Sequence, residues 1–72
     1  MKKKELYFSI YMRDELENDF ELDTQKDNFK DLSKYLGQNE STLYNLGLKK
    51  KKGLQIEITI KDKTYIIIVD SE

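Results

Sequence analysis

The chain has 72 residues, with 13 Lys and Arg against 14 Asp and Glu, and it contains no His, Cys, Pro or Trp. That length suits one domain spanning residues 1–72, because so short a chain buries only about 60% of the surface its unfolded form exposes. The missing thiols and imidazoles exclude disulfides, zinc knuckles, Cys nucleophiles and His general bases, so a non-enzymatic protein is expected, without catalytic residues, cofactor, metal or small-molecule substrate.

In chain order, Leu6, Phe8, Ile10 and Met12 alternate with Tyr7, Ser9 and Tyr11. Side chains on a strand point to opposite faces with period two, so the spacing predicts a strand with an aliphatic face and a tyrosyl one. Beyond the acidic stretch that begins at Asp14, Phe20 and Leu22 flank Glu21 and predict a weaker returning strand. The acids from Asp14 to Asp23 invite a calcium reading, but no Gly and closing Glu stand where an EF-hand loop needs them.

A helix follows. Asp23 or Thr24 is expected to cap it, Phe29, Leu32 and Leu36 form an apolar stripe at spacings of three and four, and Gly37 ends it. Lys26, Lys30 and Lys34 recur every fourth residue on its outer side. Asn39 is placed to cap a second short helix carrying Leu43 and Leu46, and Gly47 is placed to end it in the left-handed conformation. Leu54, Ile56, Ile58 and Ile60 then alternate with polar residues, Lys61-Asp62-Lys63 interrupts, and Thr64 to Val69 resumes, which predicts a hairpin. The second arm is apolar on both sides at Ile66 to Ile68, as a central or helix-covered strand requires. Residues 1–4 and 70–72 are expected to fray. The expected fold class is α+β, a small single domain with two central helices packed on an antiparallel sheet in the order ββααββ.

No apolar run approaches the roughly 20 residues that span a bilayer, and the first residues lack the pattern of a signal peptide. A cytoplasmic protein without a membrane partner is therefore expected. The net charge of -1 conceals segregation: residues 1–13 sum to +3, 14–31 to -6, 32–53 to +4 and 54–72 to -2. Lys49-Lys50-Lys51-Lys52 is the densest positive feature and suits salt-dependent attraction to phosphates.

From Phe29 to Leu46 the chain resembles the helix-turn-helix family of DNA-binding proteins. Ser33, Gly37, Leu43 and Leu46 stand where that family has a small residue in its first helix, a turn Gly and two aliphatics in its second, while Gln38 replaces the usual aliphatic after the Gly. The resemblance implies that the second helix enters the major groove of DNA. It assigns base contact to Gln38, Asn39, Ser41, Thr42, Tyr44 and Asn45, and phosphate contact to Lys34, Lys49, Lys50, Lys51 and Lys52. It also likens the 54–69 hairpin to the wing of winged variants. The alternative is a protein-interaction module. Its partner is another protein or a second copy in a homodimer, and one version is an acidic inhibitor whose 14–31 segment imitates phosphates as small mobile-element or phage-type proteins are expected to do.

Overall fold

A computed structural model describes residues 6–16 and 18–71, so the expected fraying of residues 1–4 and of residue 72 lies outside the described residues. The elements run β1 (Leu6–Asp14), β2 (Glu21–Lys26), α1 (Phe29–Leu36), α2 (Glu40–Asn45), β3 (Gln55–Ile60) and β4 (Lys63–Ser71). The expected domain built around a central helix pair is corrected to one that is mostly sheet. Strands of nine, six, six and nine residues outweigh helices of eight and six.

The reason is that the strands capture residues expected elsewhere. β1 begins at Leu6 and offers Asp70 and Ser71 partners at Tyr7 and Leu6, so β4 continues to Ser71 instead of fraying. Thr24, Gln25 and Lys26 pair with Ile10, Ser9 and Phe8, so β2 takes the residues expected to cap and open the first helix. The cap moves to Asn28, whose Oδ1 accepts the Asp31 N–H at 2.8 Å while its Nδ2 donates to the Asp31 carboxylate at 3.3 Å. Lys26 accordingly leaves the helical lysine row and holds its ammonium 5.2 Å over the Tyr35 ring.

The sheet order is β2-β1-β4-β3 with every pair antiparallel. The strands nearest the two ends of the described chain thus form the centre, and β4 is paired on both sides, as the unbroken Ile66-Ile67-Ile68 run requires. The β3–β4 hairpin is joined to the rest of the sheet through β4, which pairs with β1. A register shift between Ile10 and Tyr11 leaves Leu22 opposite Tyr11 and Thr24 opposite Ile10, with Asp23 as the extra residue of a bulge.

Both helices lie on one face. Phe8, Ile10, Ile67 and Val69 from the sheet meet Leu32, Leu36, Leu43 and Leu48 in the buried core, with Leu54, Ile56, Ile58 and Ile60 packed beside them. The opposite face carries Tyr7, Tyr11, Ile66 and Ile68, all half-buried, and Ser9, which is buried and accepts a 3.3 Å hydrogen bond from Gln25 Nε2.

Gly37 closes α1 at φ 68°, and the Gln38 N–H returns to the Ser33 carbonyl at 3.0 Å. Gly47 at φ 94° closes α2 the same way, with the Leu48 N–H on the Leu43 carbonyl at 3.1 Å. These turns drop Leu48 into the core and set the direction of the lysine run that follows.

Candidate nucleic-acid interface

α2 has six residues, about 9 Å of helix, and Leu43 is its fully buried anchor. Ser41 and Asn45 stand four apart on the side opposite Leu43, and both are exposed. Asn39 and Glu40 are exposed at the start of the helix, and Asn39 occupies the cap position without making the side-chain bond expected of it. Thr42 is half-buried on the helix flank.

Tyr44 has a role beyond a polar contact. Its ring stacks on Phe29 at 4.4 Å and 24°, and Phe29 in turn meets Phe8 edge-to-face at 5.1 Å and 65°. This aromatic column runs from the sheet core through α1 to the outer surface of α2 and fixes how α2 is presented. One face of the Tyr44 ring is thereby occupied, while the residue stays 53% exposed.

Gln38 departs from the rest of the expected set. It is half-buried in the wall of a cleft of about 800 Å³. This cleft lies between the β1–β2 turn, the end of α1 and the β3–β4 turn, and its lining includes Leu16, Leu36, Ile60, Lys61 and Tyr65. The cleft draws on segments far apart in sequence, so no local pattern signals it.

Lys49 to Lys52 are all exposed, and their backbone is tied down. The Lys51 N–H donates to the Lys49 carbonyl at 2.8 Å, and the Leu54 N–H donates to the Lys51 carbonyl at 3.0 Å. Gly53, at φ 87°, donates its N–H to the Val69 carbonyl at 2.8 Å, and the Val69 N–H returns to Leu54 at 2.9 Å. The four ammonium groups therefore project from a turn pinned to β4. Lys50 also borders a depression with Leu6, Asp27 and the cap residue Asn28.

Lys34 is exposed in the last turn of α1, in a shallow depression with Lys26, Asp31 and Tyr35. In the chain, Lys34 precedes α2 and the lysine turn follows it, and all five lysines are exposed. Four of the acids of 14–31 have separate places in the fold. Asp14 stands across from Lys63, Asp23 sits in the bulge, Asp27 lies beside Lys50 and Asp31 serves the cap. Among the described residues no three His, Cys, Asp or Glu side chains are gathered to hold a metal ion, and no helix is long and apolar enough to cross a membrane.

No protein-family model, curated protein or solved structure matches the chain.

Proposed function

We propose that this chain is a small non-enzymatic DNA-binding module that presents α2 to the duplex and holds the phosphate backbone with Lys34 and Lys49 to Lys52. The observation that carries this reading is the exposed polar side of α2, centred on Ser41 and Asn45, with exposed lysines before and after it. Asn offers adenine a paired donor and acceptor, and Ser donates to or accepts from several base edges. Asn39 supplies a further amide at the helix start, and Tyr44 lends its exposed edge. Gln38 and Thr42, being half-buried, contribute less.

A helix of about 9 Å faces roughly three base-pair steps of 3.4 Å, so most of the affinity comes from the lysines and selectivity rests on two or three side chains. Titration of a labelled duplex by fluorescence anisotropy at several salt concentrations tests the reading. Affinity that falls steeply with salt supports it, and absent or salt-independent binding rejects it.

A second reading, docking of a protein partner, draws on the uncovered sheet face with Tyr7, Tyr11, Ile66, Ile68 and the 54% exposed Leu22. Its centre is free of charge, as interface cores are. Ile66→Thr with Ile68→Thr keeps β-branched residues in the strand while removing apolar surface. Loss of partner binding by this folded variant, with DNA binding unchanged, favours docking on the sheet.

A further inference from the structure

β3 is an edge of the sheet, and among the described residues no strand pairs with its outer side. The Val69 N–H donates to the Leu54 carbonyl at 2.9 Å, which fixes the alternation of the antiparallel ladder. The backbone groups of Ile56, Ile58 and Ile60 turn toward β4, and those of Gln55, Glu57 and Thr59 turn away from it. We infer that the chain dimerises by pairing β3 with β3 of a second copy, antiparallel across a two-fold axis at Ile58. This inference is independent of the DNA reading.

An outward row of N–H and C=O groups accepts an extended backbone, and native sheets guard such rows with bulges, charges or proline. The opposite edge is guarded, by the bulge at Asp23 and by the charges of Glu21, Asp23 and Lys26. β3 pairs with β4 without a register shift from Gln55 to Ile60, contains no Pro, and carries Glu57 as its one charge. Its three isoleucines pack against the core yet stay half-buried at the rim of the sheet.

The sequence of β3 is its own complement. The apolar row Ile56, Ile58, Ile60 is centred on Ile58, so the two-fold axis sets Ile58 against Ile58 and Ile56 against Ile60 and carries the row across the interface. In this register Glu57 and Thr59 of opposite copies pair twice over, through about four backbone hydrogen bonds. Each Glu57 faces a Thr, with the other Glu57 on the diagonal at about 7–8 Å. The turn of the second copy, Lys61 and Asp62, comes beside the start of β3, where the lysine turn arrives; its two charges cancel, so that end meets no net charge. Moving the axis to Glu57 sets the carboxylates face to face, and moving it to Thr59 sets Ile56 against Asp62. A foreign strand gains the backbone bonds alone, whereas a second copy also brings the matching isoleucine row. A small core gains further from association.

An interface this small is weak, with a dissociation constant of about 0.2 mM. Amide hydrogen exchange of the full chain without DNA, from about 10 μM to about 2 mM, reads the edge directly. The Glu57 and Thr59 amides are expected to gain about fivefold protection at the upper concentration, as sedimentation equilibrium reports dimer. Ile56 and Ile58, bonded to β4, stay protected throughout. Thr59→Pro removes an N–H that faces away from β4, so the fold persists, and it weakens the dimer about tenfold or more. Glu57→Gln relieves the diagonal repulsion and tightens the dimer about threefold. A wild type that stays monomeric, protection that rises at Thr24 and Gln25 instead, a folded Thr59→Pro variant that associates like wild type, or a Glu57→Gln variant that associates less each overturns the proposal. Should Thr59→Pro unfold, the wild-type exchange pattern and Glu57→Gln decide.

Discussion

Replacing Lys49, Lys50, Lys51 and Lys52 together by Gln tests the electrostatic half of the proposed function most directly. If Lys34 and the four turn lysines each neutralise one phosphate, log affinity falls with log salt at a slope of about -4.5, taking about 0.9 counterion per contact on B-form DNA. A rise from about 50 to about 200 mM salt then weakens wild-type binding roughly 500-fold. Removing four contacts leaves a slope near about -0.9 and a loss of only about fourfold over the same range. The substitution is clean because none of the four side chains enters the core, and the Gly53–Val69 and Val69–Leu54 backbone bonds that pin the turn remain. The assay is anisotropy of a fluorescent duplex across that range, with circular dichroism to verify the fold. A wild-type slope shallower than about -1, or a variant slope equal to that of wild type, refutes the assignment of these lysines.

Asn45→Ala is expected to cost about 1–3 kcal/mol on a duplex selected for tight binding and to leave the salt slope unchanged; an equal loss on every sequence counts against base contact. Leu32→Ala, at a fully buried position, is expected to cost about 2–5 kcal/mol in urea unfolding. That is a large share of the roughly 4–11 kcal/mol available to a domain of this length, and a loss below about 1 kcal/mol contradicts the packing described. Lys61 holds φ at 57° in the two-residue loop between Ile60 and Lys63. Lys61→Gly removes the side-chain penalty of that conformation and is expected to raise stability by up to about 1 kcal/mol, net of the greater entropy glycine loses. A lower melting temperature refutes the argument.

The aliphatic alternation of β1, β3 and β4 was legible because each has a face on the core. The Leu32–Leu36 stripe and the left-handed glycines 37 and 47 were legible because helix geometry is local. β2 resisted reading from Leu22 onward. The bulge at Asp23 breaks period two, and an edge strand of Glu, Asp, Thr, Gln and Lys has no apolar pattern to follow. Asp23 and Thr24 therefore have the local signature of caps, whereas in the fold Thr24 and Gln25 pair with Ile10 and Ser9. At the candidate interface, the exposure of Ser41 and Asn45 follows from the position of Leu43 alone. The stacking of Tyr44 on Phe29 and the withdrawal of Gln38 into a cleft wall are tertiary facts without a local signature.

The two faces of the sheet carry different weight as indicators of function. Four strands at about 4.8 Å spacing make a sheet roughly 19 Å wide, and two helices about 10 Å across cover one such face and no more. Among the described residues both helices go to that one face, and the other is left uncovered. Its tyrosines and isoleucines also serve the strand: they have high β propensity and shield one another, and Ser9 among them is buried without a helix above it. Apolar residues there are thus accounted for by folding before any partner is invoked. The outward side of α2 is different, since the fold asks of it only Leu43 in the core and Tyr44 on Phe29. Nothing in the packing requires Ser41, Asn45 or four consecutive lysines where they stand. The surface on which the sequence exceeds the demands of folding is the one assigned to DNA.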